Sequence, residues 1–294
     1  MFSVLIPVYN ELIKPLVERL QEQLEQTGQV YQIIVLDDLS DDHYRQQNVT
    51  VSEIMQVSYI ELSENVGRSK IRNRLAKLAR YDHLIFLDCD VSLIDGQFIK
   101  NYQENIELDC VCGGIKYQSQ APSPAYSLHW KVGKNKEEIK ASKRAASKSP
   151  LFFSSNFMIK AAIFANNIFD ENICGYGYED AEFARRLQEK DVKITHIDNP
   201  VQHDGLKENE VFIQDTAKAI ENLAILYQAE KIKNTSLIKA YERIKSLLFG
   251  STFISYLTES QGYFALKIKE SNPSLWAFDV WKLSLFCSKI KEKS

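Results

Sequence analysis

The chain has 294 residues, of which 45% are hydrophobic and 26% charged, with a formal net charge of −3. This is the composition of an ordinary soluble protein, and it excludes a disordered or fibrous chain. The length suits one large domain, or one domain with an appendage. No apolar run reaches the ~18 to 20 residues of a membrane-spanning helix, and no signal peptide is recognisable, so we expect a cytoplasmic protein with reduced cysteines.

The first ninety residues alternate short apolar runs with amphipathic segments. Strands are predicted at residues 2–8, 31–36, 57–62 and 83–87, with helical segments beginning near Leu12 and running from 67 to 80. Strands that alternate with helices of ten to fifteen residues indicate βαβ units and a mostly parallel sheet. Polar clusters follow the strands directly, at the edge where open α/β sheets bind ligands.

The second half of the chain is less regular. Strands are predicted at residues 109–116, 151–158 and 192–197, and helices at 179–190, 211–229 and 236–248. The segment 131–148 carries seven basic residues and is predicted as either a helix or a loop. From Lys231 onward the chain has 11 Lys and Arg against 5 Asp and Glu. We predict a nucleotide-binding domain over 1–229 and a basic, aromatic helical extension over 230–294, whose charge suits an anionic partner.

Asp88 and Asp90 end the apolar run 83–87. Side chains two apart on an extended chain point to the same side, so both carboxylates face one spot. A hard divalent cation such as Mg²⁺ or Mn²⁺ would relieve their repulsion, and such ions often bridge to phosphate. The alternative is a solvated acidic turn at a strand end.

Five segments occur in a characteristic order, and together they resemble family 2 glycosyltransferases. They are Ser3-Val-Leu-Ile-Pro-Val-Tyr-Asn-Glu11, Val35-Leu-Asp-Asp-Leu-Ser-Asp41, Asn65-Val-Gly-Arg-Ser-Lys-Ile-Arg-Asn73, Leu87-Asp-Cys-Asp90 and Gly175-Tyr-Gly-Tyr-Glu-Asp-Ala-Glu182. The resemblance implies a GT-A-type α/β fold, a mostly parallel nucleotide-binding sheet flanked by helices. It also implies transfer with inversion of the anomeric centre.

The same resemblance places the nucleotide pocket at the first two strand ends. The residues that it assigns to this pocket are Pro7, Tyr9, Glu11, Asp37 and Asp38. Asp38 is expected to accept a hydrogen bond from a uracil-type base, with an aspartate turn or helix cap as the alternative. Leu39 stands where the family commonly has Gly, which leaves the local loop shape open.

The helix from 67 to 80 begins where the donor diphosphate is expected. Gly67, Arg68 and Arg72 are the candidate contacts, because a helix N-terminus and guanidinium groups both attract phosphate. An exposed basic helix face is the alternative. The resemblance makes Asp88 and Asp90 ligands of Mn²⁺ or Mg²⁺ and adds His203 as a third, although a histidine after a strand is often structural.

Acceptor chemistry is assigned by resemblance to the segment that precedes the helix 179–190. Asp180 is the expected general base, with Glu179 and Glu182 supporting it or holding the acceptor. Tyr178 would offer a flat surface to a sugar ring or belong to the core. Asn156 falls where the family often lines the donor or acceptor site. Acidic residues in a first helical turn also occur for dipole reasons alone.

The C-terminal segment combines aromatic and basic residues. Trp276, Phe278, Trp281, Leu285 and Phe286 occur together with Lys282 and the lysines from Lys289 to Lys293. Such a segment either lies in a membrane interface as an amphipathic helix or caps the core. The first alternative would place the protein at the inner face of the cell membrane.

We therefore expect a metal-dependent hexosyl- or N-acetylhexosaminyltransferase acting in polysaccharide or glycoconjugate biosynthesis. Its donor would be a nucleotide-sugar, most simply a UDP-sugar, and its acceptor a glycan or lipid-linked glycan hydroxyl; no nucleic acid partner is expected. A nucleotidyltransferase is disfavoured because no Gly-rich loop with Arg follows the first strand. A non-catalytic nucleotide- or glycan-binding subunit of a polysaccharide assembly complex is the other alternative.

Overall fold

The computed structural model describes residues 1–147, 151–173, 176–270 and 272–292. Gly175 of the predicted acceptor motif lies outside the described residues. So do Lys148, at the end of the segment predicted as a helix or a loop, and the last two residues of the predicted extension.

Two sheets are built from strands in the first two thirds of the chain. The strands are β1 (Phe2–Val8), β2 (Tyr31–Asp37), β3 (Val57–Glu61), β4 (His83–Leu87), β5 (Val91–Leu93), β6 (Cys110–Cys112), β7 (Ile115–Lys116), β8 (Asn156–Lys160), β9 (Ile194–His196) and β10 (Val201–His203). The larger sheet has the order β3-β2-β1-β4-β8-β6-β9, and the smaller one has the order β5-β10-β7. In the larger sheet β1 to β4 pair in parallel, while β8 runs antiparallel to both of its neighbours.

Helices connect and cover these strands. They are α1 (Lys14–Gln26), α2 (Asp42–Asn48), α3 (Arg68–Leu78), α4 (Phe98–Gln103), α5 (Ser127–Val132), α6 (Ala141–Ala145), α7 (Ala161–Ala165), α8 (Glu179–Glu189), α9 (Asn209–Gln228), α10 (Ser236–Lys245), α11 (Gly250–Glu259), α12 (Gln261–Lys267) and α13 (Leu275–Glu292). Short 3-10 or π turns occupy Val49–Glu53, Pro124–Tyr126 and Gly133–Glu137. No helix in the described part of the chain is long and apolar enough to cross a membrane.

Contacts divide the chain into two units. The first comprises Met1–Gln118, Glu137–Cys174 and Phe183–Gly205, and it holds both sheets. The second comprises Ser119–Lys136, Gly175–Glu182 and Leu206–Ser294. The predicted boundary after residue 229 differs from this division, because α9 groups with the C-terminal helices.

The core of the first unit lies on the central strands. Strands β1 and β2 are almost wholly buried, which is why their sequences are continuously apolar rather than alternating. Phe86 stacks on Phe157 with ring centroids 4.7 Å apart, and Phe169 stacks on Phe183 at 4.2 Å. These rings belong to one buried cluster that also includes Leu5. The cluster fixes the strands whose carboxyl ends carry the polar residues discussed below.

The second unit is helical and has its own aromatic core. Phe278, Trp281, Leu285 and Phe286 of α13 are all buried. Tyr241 meets Phe286 edge to face, with ring centroids 5.4 Å apart. Four of the five apolar residues named in the tail therefore belong to this core. Of the two alternatives for the tail, a membrane-interface helix and a helix that caps the core, this arrangement matches the second.

The predicted fold class is confirmed, but three predicted elements differ. The strand expected at 109–116 is two strands, β6 and β7, because Gly114 has a φ of +96° and the chain passes from one sheet to the other. The strand expected at 151–158 begins only at Asn156. The segment 131–148 combines the π turn with the short helix α6 and is neither one helix nor one loop.

Candidate active site

The carboxyl ends of three parallel strands lie side by side in the first unit. Val8 at the end of β1 is in register with Asp37 at the end of β2, and the N–H of Asp38 donates to the carbonyl of Val8 at 2.8 Å. Pro7 sits in β1 opposite Leu36, and Tyr9 is 55% exposed just beyond the strand. Parallel pairing therefore brings the predicted nucleotide-pocket residues to one edge.

Asp37 is fully buried and shapes the loop that follows it. Its Oδ1 accepts a hydrogen bond from the N–H of Ser40 at 2.6 Å, and its Oδ2 accepts one from the Tyr59 hydroxyl at 2.7 Å. Burial, reinforced by this bond to Asp37, raises the pKa of Tyr59 far above its usual range. Leu39 adopts a left-handed backbone with φ of +65°, a conformation that glycine adopts without strain. The loop thus keeps the shape that the family's usual glycine would favour.

Asp38 is hydrogen-bonded to the loop that leads into helix α3. Its two carboxylate oxygens accept from the N–H groups of Val66 at 2.7 Å and Gly67 at 3.0 Å, and its carbonyl accepts from Asn65 Nδ2 at 3.0 Å. Gly67 has a φ of +81°, which favours glycine at this position. These are the turn and cap contacts of the alternative interpretation. Each oxygen still has a second lone pair with which to accept.

Arg72 of α3 points at the first aspartate of the acidic pair. Its Nη2 donates to Asp88 Oδ1 at 2.7 Å, with the side chains 3% and 24% exposed. Burial by itself would raise the pKa of Asp88, but the positive charges of Arg72 and then Arg68 outweigh it and hold the pKa below its ordinary value. Asp88 is therefore a charged group oriented by Arg72, while Arg68 is exposed in the first turn of α3.

The smaller sheet brings His203 to Asp90. Strand β5, which directly follows Asp90, pairs antiparallel with β10, and His203 is opposite Val91. This register places His203 Nε2 3.6 Å from Asp90 Oδ2. Burial raises the pKa of Asp90 above its ordinary value. The charge of His203 lowers this pKa and the negative charge of Asp88 raises it, but burial has the largest effect.

Gly205 lies directly against Asp90, the second residue of the acidic pair. The N–H groups of Asp204 and Gly205 donate to the carbonyl of Asp90 at 2.9 and 3.3 Å. A Cβ on Gly205 would lie 2.3 Å from Asp90 Oδ2, closer than any real contact. Only glycine therefore fits beside the Asp90 carboxylate as it is placed here. Gly205 follows His203 by two positions in the sequence, but its close approach to Asp90 is visible only in three dimensions.

Tyr117 is a neighbour of this site that sequence reasoning missed. Its ring stacks on His203 with centroids 5.4 Å apart and an interplanar angle of 29°. Its hydroxyl donates to Glu137, and its N–H donates to Glu138 Oε2 at 3.0 Å. The residue follows β7 and is nearly buried. No local sequence pattern marks it, since its partner lies 86 positions further along the chain.

Asp90 and His203 fit a divalent cation that takes its other ligands from elsewhere. Asp90 Oδ2 and His203 Nε2 lie 3.6 Å apart, so both side chains could contribute to holding one ion. Mg²⁺-type sites usually use one or two carboxylates together with substrate phosphates and water. Among the described residues, no group of three or more His, Cys, Asp or Glu side chains is arranged to hold a metal ion. Asp88 Oδ1 accepts from Arg72, and the role of Asp88 as a metal ligand stays a prediction.

A cavity of about 390 Å³ opens beside Asp90 on the side of α1. Its polar lining includes Glu11, Asp90 and Asp204, and Leu12 and Leu16 provide apolar walls. Burial, then the nearby negative charges of Asp90 and Asp204, raise the pKa of Glu11. Glu11 therefore belongs to the acidic surroundings of Asp90, rather than standing alone in the loop after β1.

Asn156 is fully buried and acts as a cross-link. Its Oδ1 accepts from the Tyr102 hydroxyl at 2.6 Å, and its Nδ2 donates to the carbonyls of Gly114 and Asn199, each at 2.8 Å. These bonds join β8 to the loops after β6 and β9. The structure leaves this amide no exposed surface toward a ligand.

The predicted acceptor segment belongs to the second unit. Glu179, Asp180 and Glu182 form the first turn of α8, where negative charge is favoured by the helix dipole. Glu179 and Glu182 are buried at 4% and 2% exposure, whereas Asp180 is partly exposed. The Oδ1 of Asp180 accepts from the N–H of Ala181 at 2.7 Å. Of these three acids, Asp180 is the least buried.

The backbone before this helix is held by α9. Asn222 Nδ2 donates to the carbonyl of Gly177 at 2.6 Å, and a Cβ on Gly177, whose φ is +82°, would meet Ala219 at 3.0 Å. Tyr178 has a φ of +70°, and its carbonyl accepts from the N–H of Glu182 at 3.1 Å. Burial raises the pKa of the Tyr178 hydroxyl well above its usual range. Gly177 and Tyr178 together produce the sharp turn into α8.

Comparison with known proteins agrees with the fold. The sequence model described as "Glycosyl transferase family 2" matches residues 3–167. The chain resembles the mannosyltransferase PcManGT from Pyrobaculum calidifontis, in complex with GDP-Man and Mn²⁺, with a TM-score of 0.60 and 12% identity over 99% of this chain and 86% of that one. It also matches S. aureus TarS 1-349 in complex with UDP, with a TM-score of 0.49 and 18% identity over 99% and 90% of the two chains. No curated protein gives a significant sequence match.

The family match covers more than half of the chain and includes the acidic pair Asp88 and Asp90. The chain therefore belongs to glycosyl transferase family 2, and it is a glycosyltransferase with a GT-A-like fold.

Proposed function

We propose that this protein is a metal-dependent, inverting hexosyl- or N-acetylhexosaminyltransferase. It would move a sugar from a nucleotide-sugar, most simply a UDP-sugar, to a hydroxyl of a glycan or lipid-linked glycan in polysaccharide or glycoconjugate biosynthesis. The observation that carries the proposal is the approach of His203 to Asp90 beside the charged pair of Arg72 and Asp88. These groups lie at the sheet edge where α/β folds bind nucleotides.

The donor would be held by residues of three strand ends. Asp38 has lone pairs left for a base N–H, Tyr9 and Glu11 flank the base and ribose, and Pro7 supports them from β1. Arg68, exposed at the start of α3 next to Gly67, would contact a phosphate oxygen. Arg72 would act through Asp88, and Asp37 through the loop that it shapes.

Mn²⁺ or Mg²⁺ would be held by Asp90 and His203, with Asp88 behind them. When bound, such an ion would stabilise negative charge on the departing nucleoside diphosphate. Without it, the neighbouring carboxylates of Asp88 and Asp90 would repel the diphosphate. PcManGT is in complex with GDP-Man and Mn²⁺, which supports the choice of metal and makes a guanosine donor the alternative to test.

Asp180 would accept the proton of the acceptor hydroxyl as that oxygen attacks the anomeric carbon. A hydroxyl is a poor nucleophile until its proton is removed in the transition state, so an accessible carboxylate is needed. Asp180 meets this condition better than the buried Glu179 and Glu182. These two glutamates, with Tyr178, would position the base or the acceptor, and Asn156 would hold the sheet that carries the donor site.

The membrane contact predicted for the C-terminal extension is also part of the proposal. A lipid-linked acceptor would be presented at the inner face of the membrane, and the extension has an excess of basic residues over residues 231–294. Peripheral association is the form that this contact would take.

The test is calorimetric titration with UDP, GDP, dTDP and CDP, each with and without Mn²⁺. We expect one nucleotide to bind tightly with Mn²⁺ and at least about tenfold more weakly without it. Asp90→Asn should lose the metal-dependent part of nucleotide binding. Asp82→Asn, which removes an exposed carboxylate elsewhere in the first unit, is the control and should keep it. Absence of binding by all four nucleotides would contradict the donor site and favour a non-catalytic glycan-binding subunit.

The stereochemistry has a separate test. Once the donor is known, proton NMR of the first-formed product should show the opposite anomeric configuration to that of the donor. A product with the donor's configuration would overturn the single displacement.

A further inference from the structure

Exposed aromatic side chains concentrate on one part of the second unit. Among the described residues, the exposed aromatic side chains are Tyr9 in the first unit and Phe249, Phe253, Tyr256, Tyr263 and Trp276 in the second. Leu248, beside the first of the second group, is 92% exposed. Large exposed apolar patches mark surfaces that contact a protein or a membrane. This concentration therefore points to an interaction surface.

Three of these residues share one helix face, which we call the aromatic stripe: Phe249, Phe253 and Tyr256. The spacing of four and three residues from Phe249 to Tyr256 repeats on one face of α11. Helix α11 ends at Glu259 and α12 begins at Gln261, so the exposed Tyr263 lies on the next helix and not on the stripe.

The stripe is not the face by which α11 packs into its own unit. Ile254 and Leu257 provide that face and are buried at 7% and 6% exposure. The helix therefore has two apolar faces, one of which is used inside the second unit. The second face, exposed in this chain, calls for a partner outside it.

Charge around the stripe indicates what that partner is. Arg243 and Lys245 beside the stripe are exposed, while Glu242 lies 3.9 Å from Lys245 and Glu259 ends α11. Over residues 231–294, 11 Lys and Arg outnumber 5 Asp and Glu. Two copies of the chain meeting through this part would therefore bring like net charges together. An anionic lipid bilayer instead offers negative headgroups to the basic residues and an apolar boundary to the rings.

We propose that the aromatic stripe, with Leu248, Arg243 and Lys245, docks the second unit on an anionic lipid bilayer. The inference rests on the membrane contact proposed above and assigns it to a different set of residues. Phe278, Trp281 and Phe286 of the predicted tail surface are buried in the helical core, so they have no surface to insert. Leu248 and Phe249, at the tip before α11, would enter the headgroup boundary first.

The test is co-sedimentation of the full chain with vesicles of phosphatidylcholine alone or with 30% phosphatidylglycerol. We expect binding to the anionic vesicles that falls with salt. Leu248→Ser with Phe249→Ser should weaken it at least about tenfold, because each lost ring or methylene group removes apolar burial. Arg243→Gln with Lys245→Gln should weaken it roughly fivefold per charge.

Met55→Ser with Val30→Ser provides the matched control, since these side chains are 70% and 57% exposed on the first unit. It should bind vesicles like the wild type. Equal binding by the Leu248 and Phe249 double variant and the wild type would overturn the assignment of the surface. Absence of wild-type binding to either vesicle would overturn the membrane contact itself.

A dimer of the wild type that dissociates in the Leu248 and Phe249 double variant, seen by analytical ultracentrifugation, would show a second copy on this surface and overturn the proposal. Nucleotide titration of the same variants separates this outcome from failure of the proposed transferase function. Donor binding belongs to residues of the first unit, so it should be unchanged by changes in the stripe.

Discussion

Arg72 and Asp88, sixteen residues apart in the chain, form an ion pair of 2.7 Å in which the arginine side chain is only 3% exposed. Arg72 also donates from Nη1 to the carbonyl of Arg68 at 3.3 Å, and its guanidinium lies 5.6 Å from the centre of the Phe169 ring. The pair joins the start of α3 to the end of β4. An arginine expected at the phosphates is thus the group that orients the first aspartate of the acidic pair.

Replacing Arg72 by Met should destabilise the protein by about 2 kcal/mol, because Asp88 would keep a half-buried charge without its partner. Denaturant unfolding measures the change. Arg74→Gln, on the same helix, removes an arginine that is 41% exposed and lies 3.5 Å from Glu64. That control should cost less than about 0.5 kcal/mol. Equal effects of the two changes would contradict the special role of Arg72.

Gly205→Ala should weaken Mn²⁺-dependent nucleotide binding by about 10- to 100-fold, since the added Cβ displaces the Asp90 carboxylate. Calorimetry with the preferred nucleotide measures this loss. Gly96→Ala is the matched control, because a Cβ there meets nothing within 4 Å. Unchanged metal dependence in Gly205→Ala would mean that Asp90 does not act from the position seen here.

Tyr117 should matter for metal binding through its ring more than through its hydroxyl. Tyr117→Leu removes the ring that stacks on His203 and should weaken Mn²⁺ binding about tenfold at saturating nucleotide. Tyr117→Phe keeps the ring, loses the bond to Glu137, and should change binding by no more than about threefold. If the two variants lose affinity equally, the stacking does not position His203.

His196 predicts a pH dependence of stability. Arg144 Nη1 donates to His196 Nδ1 at 3.0 Å. Burial, and then the charge of Arg144, lower the pKa of His196 to about 4 from its ordinary value of 6.5. The unfolded chain therefore takes up this proton below pH 6.5 while the folded chain does not. Stability should fall by about 2 kcal/mol between pH 6.5 and 4, after allowance for partial exposure.

His196→Asn should flatten this part of the stability profile, since the amide oxygen can accept from Arg144 without titrating. His43→Asn, at an exposed histidine, serves as the control and should follow the wild type. Urea midpoints measured at half-unit steps of pH give the comparison. A His196→Asn profile as steep as that of the wild type would contradict the assignment.

Asp180→Asn should lower kcat by about 10²- to 10⁴-fold and leave donor binding unchanged, because the base acts on the acceptor hydroxyl. Steady-state kinetics with the identified donor and calorimetry with its nucleotide measure the two effects. Glu189→Gln, at the other end of the same helix and 59% exposed in its side chain, should change neither. A loss of donor affinity equal to the loss of rate would place Asp180 in a structural role instead.

Much of the first unit could be predicted because its signals are local. The apolar runs of β1 and β4 had the same bounds in sequence and structure, and the polar residues that follow them lie at one sheet edge. Continuous apolar runs separated by amphipathic helices already define parallel βαβ units. The expectation that Asp88 and Asp90 face one spot assumed an extended chain, whereas residues 89 and 90 form a turn after β4.

The details of the site depended on contacts between distant positions. His203 reaches Asp90 only because β10 pairs with β5, and Tyr117 reaches His203 only because β7 pairs with β10. From the sequence, the aromatic residues of the tail fitted a membrane-facing helix and a core helix equally well. In the structure, most of them are buried side chains of α13. Asn156 likewise makes three internal hydrogen bonds to residues distant in the chain, which no local pattern indicates.

The sequence by itself determined the family, the parallel strands and the edge where chemistry is concentrated, because periodicity and motif spacing are properties of neighbouring residues. The tertiary structure decided which carboxylate faces Arg72, which faces His203, and which aromatic residues are exposed. Those outcomes depend on strand register and close packing, where a residue's partners are set by the whole fold rather than by its neighbours in the chain.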